Sequence, residues 1–308
     1  MFEVPGKYFE VAKGCSRGKM NQQAEKYLST LDRLPRTLET YRWALDYYFR
    51  IAGEELSDDA YEGFLGAIRD LSPSSKRVLT SAVMGLYAYC DAGSLVVRQK
   101  LNEHYIRKVK TKPVNFDRDA VETILTHCEA LRGDLINLRD RSFVLTLADT
   151  GFRISELCSL TRGDIDWPEE RVLITGKGDK VAVVRLSHRA VAALKQYLAA
   201  RSKLDGESGK PLGSLPLFAQ HGKAKKIKAM TIDGMRKAIK QRMKEAGARV
   251  RIHDFRHYFV TVIVIASNGN LKKAQELARH ESTQTTQRYA HFTQTELDQT
   301  YDEIFNRQ

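Results

Sequence analysis

Paired cysteines, long apolar runs and internal repeats are all missing from this chain of 308 residues. The absence of repeats excludes the solenoid and propeller architectures. No stretch approaches the roughly 18 apolar residues of a membrane helix. The first twenty residues carry basic side chains but no apolar signal core, so a cytoplasmic protein with no membrane partner is expected. The cysteines stand singly, which argues against a disulfide framework or metal cluster and favours reduced, mostly buried thiols at Cys15, Cys90, Cys128 and Cys158.

Acidic residues are also in deficit. Lysine and arginine number 50 against 38 aspartates and glutamates, which gives a net charge of +12. The excess concentrates between residues 221 and 260, where seven lysines and five arginines face three acidic residues. Such a local field attracts polyanions, nucleic acid first and an acidic membrane surface second. A basic surface without a specific partner would show the same charge pattern.

The apolar pattern predicts a mainly α protein with a small antiparallel β-sheet, an α+β fold in two domains. Residues 1–20 show no period and are interpreted as a tail. Apolar residues recur at helical spacing over residues 21–104, which predicts a compact helical domain whose first helix is stopped by Pro35. A short basic stretch, residues 105–114, is interpreted as the linker to a second domain, residues 115–308.

The second domain combines helices with one hairpin. The β-rich runs 171–175 and 181–184 flank a glycine-bearing turn, which predicts two antiparallel strands. In the last residues, about 293–306, a capping box precedes one apolar helix face. That helix either packs on its own domain or is donated to a neighbouring subunit; its apolar residues are Leu297, Tyr301, Ile304 and Phe305. Further helices are expected over residues 118–130, 138–148, 154–160, 191–204, 232–246, 255–265 and 271–278.

Seven basic side chains are candidates for DNA contact. Two lie in the first turn of a predicted helix that Ser72 and Pro73 open, where positive charge opposes the helix dipole. Two lie in the linker and three in a basic loop. An ordinary solvated surface is the alternative for each of them: Lys76, Arg77, Lys108, Lys110, Lys225, Lys226 and Lys228.

Other polar side chains match the needs of metal-free cleavage of a DNA phosphodiester. A nucleophile must attack phosphorus, cations must neutralise the non-bridging oxygens, and an acid must protonate the leaving oxygen. His253 and Arg256 lie on adjacent turns of one predicted helix face. His253 and His257 are also spaced as a zinc pair would be, but Asp254 breaks the His-Glu-x-x-His pattern and no metal is expected.

Five motifs then occur in order: Thr150-Gly-Phe-Arg153-Ile-Ser-Glu-Leu157, Gly176-Lys177-Gly178, His253-Asp-Phe-Arg256-His257, Leu277-Ala-Arg-His280 and Thr285-Thr-Gln-Arg-Tyr289. The set resembles the tyrosine recombinases, the Xer and phage-integrase family, over about residues 20–308. The resemblance implies a SAM-like core-binding domain followed by the catalytic domain. It implies a site-specific enzyme that cleaves and rejoins double-stranded DNA without metal, ATP or another cofactor.

The same resemblance implies how the phosphate is held. Arg153 and Arg256 would bind the oxygens of the scissile phosphate. His253 would hydrogen-bond the phosphate and assist proton transfer, and His280 would support the phosphate or the nucleophile. Glu156 is expected to brace the helix of Arg153 and to take no part in the chemistry.

The nucleophile and the acid follow from the remaining motifs. Tyr289 would form a 3′-phosphotyrosyl intermediate, and Lys177 in the hairpin turn would protonate the 5′ leaving oxygen. Lys180 lies near the same turn and is the alternative to Lys177. The family resemblance also implies a tetrameric synapse on two duplexes, in which the C-terminal helix is exchanged between protomers.

One departure from the family pattern concerns Arg279, which stands where the family usually has glycine. A side chain of this length is expected to point at DNA or solvent. Three other functions compete with recombination: a type IB topoisomerase-like enzyme, a catalytically silent DNA-binding regulator, and a zinc hydrolase built on His253 and His257. The filled catalytic positions and the short chain favour the recombinase. Its target sequence, and a role in dimer resolution or in phage, transposon or cassette mobility, are left open.

Overall fold

The computed structural model describes residues 21–33, 35–93, 113–175, 181–221, 227–280 and 282–293. The chain divides into two compact units, Met1–Lys110 and Thr111–Gln308. No helix within the described ranges is long and apolar enough to cross a membrane. The predicted tail, nearly all of the predicted linker and the C-terminal helix lie outside these ranges, and the predicted domain boundaries stay a prediction.

The described part of the first unit contains helices α1 (Gln22–Thr30), α2 (Pro35–Ala52), α3 (Asp58–Ala67) and α4 (Pro73–Tyr89). Asn21, Ser57 and Ser72 cap three of them, because each side chain accepts a hydrogen bond from a main-chain N–H of the first turn. The prediction that Pro35 stops the first helix is wrong. Helix α1 ends at Thr30, and Pro35 opens α2, where its missing N–H costs nothing.

Aromatic side chains fill the core of this unit. Tyr48 and Phe64 are fully buried, with their ring centroids 5.2 Å apart in an edge-to-face arrangement. The hydroxyls of Tyr48 and Tyr87 lie 2.7 Å apart, and Tyr87 also donates to the carbonyl of Ser57 at 2.8 Å. The two tyrosine hydroxyls therefore join α2 to α4 within an apolar core. The bond from Tyr87 to Ser57 also joins α4 to the start of α3.

The second unit contains α5 (Arg118–Ala130), α6 (Leu135–Thr150), α7 (Ile154–Ser159), α8 (His188–Glu207), α9 (Ile232–Glu245), α10 (Asp254–Ala266), α11 (Leu271–Ala278) and α12 (Thr283–Gln287). Helices α6 and α8 begin earlier than predicted, because Asp134 and Ser187 cap them. Helix α6 is buried on almost every side and packs against α5, α8 and α10. It forms the centre of the unit.

Three short strands complete the second unit: β1 (Ile165–Asp166), β2 (Arg171–Thr175) and β3 (Val181–Arg185). They form one antiparallel sheet in the order β1-β2-β3, with Arg171 paired with Arg185 and Thr175 with Val181. The mainly α fold with a small antiparallel sheet is confirmed, while β1 was not predicted. The turn that carries Lys177 and Lys180 lies outside the described residues.

The described cysteines are free, as expected, but only one of them is buried. Cys128 is fully buried, whereas Cys90 and Cys158 are half-buried. Burial raises the pKa of the Cys128 thiol to about 12, so it is protonated at neutral pH. It packs in the core as a small apolar side chain.

Gly151 ends α6 at a position that leaves no room for a side chain. Its φ is 60°, in the left-handed region, and its N–H donates to the carbonyl of Leu147. A Cβ at this position would overlap the ring of Phe259 on α10. The close approach of α6 and α10 therefore depends on the missing side chain.

Replacing Gly151 by alanine is expected to cost about 1–2 kcal/mol through its backbone conformation and about 1–3 kcal/mol more through the contact with Phe259. Gly247→Ala is the matched control, because φ there is 65° and a Cβ would meet nothing within 4 Å. Denaturant unfolding measures both variants. Equal losses of unfolding free energy in the two variants would contradict the steric argument.

Candidate active site

The guanidinium of Arg256, in the first turn of α10, joins two other segments. Its Nη1 donates to the carbonyl of Gly151 at 2.5 Å, and its Nη2 donates to the carbonyl of Ala278. The residue is only 3% exposed. Burial, together with the charges of Arg153 and Arg279, lowers the pKa of Arg256 to about 10, so it stays protonated at neutral pH. Arg256 therefore fixes the ends of α6 and α11 against α10.

Arg153 stands at the start of α7, where its side chain is 37% exposed. The carboxylate of Glu156 accepts a hydrogen bond from the Arg153 main-chain N–H at 2.9 Å and another from Nη1 at 2.7 Å. Glu156 thus braces both the backbone and the side chain of Arg153, as expected from the sequence. The Arg153 side chain therefore stays partly exposed while its Nη1 is bonded to Glu156.

The expectation that Arg279 points at DNA or solvent is wrong. Its side chain folds inward and is only 16% exposed, with Nη1 3.3 Å from Glu156 Oε2. The guanidinium carbon lies 4.9 Å from the centroid of the Phe152 ring. The carboxylate and the aromatic face offset the cost of burying this charge, so the side chain need not reach into water.

His280 follows directly after Arg279. Its Nδ1 shares a hydrogen bond of 2.9 Å with the hydroxyl of Thr286, and its carbonyl accepts from the Gln275 side chain at 3.2 Å. Burial and the charges of Arg256 and Arg153 lower the pKa of His280 to about 3. The imidazole is therefore neutral at physiological pH.

Tyr289 lies after α12 and is only 2% exposed. Its hydroxyl is 2.5 Å from Nδ1 of His257. Burial raises the pKa of Tyr289 to about 12, although Arg256 acts in the opposite direction. Burial and the neighbouring His253 lower the pKa of His257 to about 3. A neutral phenol and a neutral imidazole therefore share a hydrogen bond away from water at neutral pH.

The segment that carries Tyr289 is held against α10 and α11. Its ring belongs to a small apolar cluster that includes Val260 and Val264 from α10 and Ala274 and Ala278 from α11. A main-chain hydrogen bond of 3.0 Å also joins the N–H of residue 114 to the carbonyl of residue 288. The position of Tyr289 thus depends on the same two helices that Arg256 holds together.

Comparison with known proteins identifies the family. The model of the Phage integrase family matches residues 115–296. Tyrosine recombinase XerC of Myxococcus xanthus is 31% identical over 258 residues, which covers 80% of this chain and 82% of that protein. The chain belongs to the phage integrase family. Tyrosine recombinase XerC of Pseudomonas fluorescens is 28% identical over 302 residues, which covers 94% of this chain and 97% of that protein.

The fold of this phage integrase is also found in a solved structure. The XerH site-specific recombinase bound to palindromic difH substrate, in a post-cleavage complex, matches with a TM-score of 0.69 at 22% identity. The match covers 96% of this chain and 88% of that chain. The chain is a tyrosine-type site-specific DNA recombinase, and the topoisomerase-like and regulator alternatives are not supported.

Within this recombinase, the structure brings together most of the residues that the sequence singled out. Besides burial, the charge of Arg153 helps to lower the pKa of Arg256, and the charges of both arginines help to lower the pKa of His280. Arg256 also acts against the burial that raises the pKa of Tyr289. His253 is exposed at the N-terminal end of α10, with its ring centroid 4.7 Å from that of His257. The predicted acid, Lys177 or Lys180, lies outside the described residues.

The candidates for DNA contact are distributed over both units. In the first unit, Lys76 is half-buried and Arg77 is exposed on α4. Lys228 is exposed in the second unit. The remaining candidates, Lys108, Lys110, Lys225 and Lys226, lie outside the described residues. All seven stay predictions.

Two features of the site escaped prediction. His257 was considered only as a partner of His253 in a zinc site, whereas it contacts the hydroxyl of Tyr289. The described residues contain no group of three or more potential metal-ligating side chains. The inward fold of Arg279 was also missed, since its partners Glu156 and Phe152 lie more than a hundred residues away in sequence. Helical spacing did place His257 on the face of His253, but no local pattern identifies the contact with Tyr289.

Proposed function

We propose that this recombinase cleaves and rejoins double-stranded DNA through a covalent bond between Tyr289 and a 3′ phosphate. The observation that carries the proposal is the site of Tyr289, whose hydroxyl is buried beside His257 and within the electrostatic influence of Arg256. XerH was solved with its difH substrate in a post-cleavage complex, and the structurally similar Tn1549 transposon integrase was solved with transposon right end DNA; both support DNA as the partner.

In the proposed step the oxygen of Tyr289 attacks phosphorus and the bond to the 5′ oxygen breaks. Lys177 gives a proton to that leaving oxygen, and His253 accepts the phenolic proton as the new ester forms. The new phosphotyrosyl ester replaces the broken phosphodiester. A 5′ hydroxyl of a partner strand can therefore reverse the step without ATP or a metal.

One partly exposed arginine and one buried arginine hold the phosphate. Arg153 has a partly exposed side chain, whereas Arg256 is anchored in the interior and supplies a fixed positive charge. The planar fork of arginine matches two phosphate oxygens. His253, exposed at the N-terminal end of α10, and His280, oriented by Thr286, add hydrogen bonds.

Attack requires Tyr289 to leave its buried position. With 2% exposure and its hydroxyl bonded to His257, the phenol is not presented to a DNA backbone. DNA binding must therefore break this hydrogen bond or open the segment between α11 and residue 293. The loss of a single neutral hydrogen bond costs about 0.5–1.5 kcal/mol, which the binding of a phosphate can offset.

The enzyme acts as a tetramer on two duplexes in the cytoplasm, and its C-terminal helix docks on a neighbouring protomer. The apolar stripe of Leu297, Tyr301, Ile304 and Phe305 supports this proposal, because it follows Tyr289 directly in sequence. Assembly would then control the position of the nucleophile. Lys76, Arg77 and Lys228, together with the lysines outside the described residues, contribute phosphate contacts along the duplex.

Tyr289→Phe is expected to abolish covalent adduct formation on a nicked suicide DNA substrate in the presence of chelator, because phenylalanine has no nucleophilic oxygen. A gel that resolves protein–DNA adducts measures the outcome. The control is Tyr258→Phe, which changes a half-buried tyrosine on α10 and should leave adduct formation intact. A robust adduct from the Tyr289→Phe protein would eliminate the proposed mechanism.

Lys177→Ala is expected to slow cleavage by about 10²–10⁴-fold, the usual contribution of a general acid. A 5′-bridging phosphorothiolate should restore most of the rate, because sulfur leaves without protonation. Lys180→Ala is the matched control from the same turn and should cleave the ordinary substrate at nearly the normal rate. If Lys180→Ala shows the loss and the rescue, Lys180 is the acid.

Removing residues 294–308 is expected to reduce assembly on DNA that carries two recombination sites, because the apolar stripe is lost. Analytical ultracentrifugation of the protein–DNA complex measures the assembly. Leu297→Asp in the full chain should have the same effect while leaving the chain length unchanged. Unaltered tetramers from the shortened chain would refute the exchanged helix.

A further inference from the structure

Arg279 has a backbone conformation that disfavours any side chain. It ends α11 with φ 54° and ψ 47°, in the left-handed region. A residue with a Cβ is less stable there than glycine by about 1–2 kcal/mol. Contacts of the Arg279 side chain must therefore offset this cost of the backbone conformation.

The guanidinium of Arg279 occupies an enclosed position in the second unit. It covers the ring of Phe152 and pairs with Glu156, and two of its nitrogens, Nε and Nη2, are buried without a hydrogen-bond partner among the described residues. Unpaired buried donors are costly. The position is therefore maintained chiefly by the charge of Glu156 and by the aromatic face.

Glu156 is shared between two arginines. Its Oε1 accepts from Nη1 of Arg153 at 2.7 Å, while Oε2 accepts from the Arg153 main-chain N–H at 2.9 Å and lies 3.3 Å from Nη1 of Arg279. Burial acts to raise the pKa of Glu156, but the charge of Arg279 and the hydrogen bonds from Arg153 outweigh it, and the pKa is lowered. The carboxylate is ionised beside the place where a phosphate is expected.

Binding of a phosphate sets up a competition for Arg153. A guanidinium that turns Nη1 toward a phosphate oxygen gives up its side-chain hydrogen bond to Glu156. The carboxylate, only 11% exposed at its side chain, would then face the phosphate as a second anion. An uncompensated buried charge next to a like charge is strongly unfavourable.

We propose that Arg279 is the permanent counter-ion of Glu156, which allows Arg153 to exchange that carboxylate for the scissile phosphate. The inference rests on the proposed function, since it assumes that Arg153 binds the phosphate. Arg279 is a positioning residue, because its enclosed guanidinium acts through Glu156 and Arg153 and does not itself contact DNA. Oε2 meanwhile keeps its bond to the Arg153 main chain, so the backbone of Arg153 stays in place while its side chain moves.

The test is a double-mutant cycle between Arg279 and Glu156. Arg279→Met keeps the apolar stem and removes the charge, whereas Arg279→Lys keeps the charge. The single-turnover rate of covalent adduct formation is measured at saturating nicked DNA, with DNA affinity measured separately. Arg279→Met should lower the rate by about 10–100-fold, the size of a coupling between neighbouring charges, with a smaller effect on affinity. Arg279→Lys should recover part of that loss.

The Glu156→Gln background distinguishes this role from a merely structural one. Without the carboxylate charge no counter-ion is needed, so Arg279→Met should then cause no more than about a twofold further loss. An equal loss in both backgrounds, or a normal rate for Arg279→Met alone, would overturn the proposal. Arg279→Gly replaces Arg279→Met if the latter does not fold, because glycine suits the left-handed backbone. Absence of any Tyr289 adduct from the unmutated protein would instead refute the proposed function.

Discussion

The hydrogen bonds of the buried Arg256 guanidinium are the interaction on which the second unit depends. Removing a charge from water costs several kcal/mol, and two main-chain carbonyls, those of Gly151 and Ala278, offset it through charged hydrogen bonds worth about 1.5–3 kcal/mol each. These carbonyls belong to the ends of α6 and α11. One side chain thus holds three helices together, and the apolar cluster around Tyr289 is built on two of them.

Positive charge accumulates around this anchor. The pKa of Arg256 is lowered to about 10 by burial and then by Arg153 and Arg279, which means that the three guanidinium groups repel one another. Glu156 is the carboxylate that contacts two of them. A bound phosphate would relieve this repulsion. The repulsion present in the free protein therefore increases the affinity for phosphate. The neutral His280 and His257 add no further charge before DNA arrives.

The sequence predicts elements that follow from local rules and fails where distant residues decide. Helix α11 has the predicted bounds, Leu271–Ala278, because its apolar spacing and the Asn270 cap are both local. The strands β2 and β3 were expected from their β-branched residues. In contrast, the inward fold of Arg279 and the contact between His257 and Tyr289 depend on side chains far apart in the chain. Motif order could suggest candidate residues for the site, but not which of them contact one another.

In the proposed reaction Tyr289, which is buried in the structure, becomes the group bonded to DNA. The most direct measurement is tandem mass spectrometry of the protease- and nuclease-digested adduct trapped on a nicked substrate. We expect a nucleotide attached through its 3′ phosphate to the peptide that contains Tyr289, with fragment ions that place it on that residue. A nucleotide on any other tyrosine, or on a serine or histidine, would contradict it.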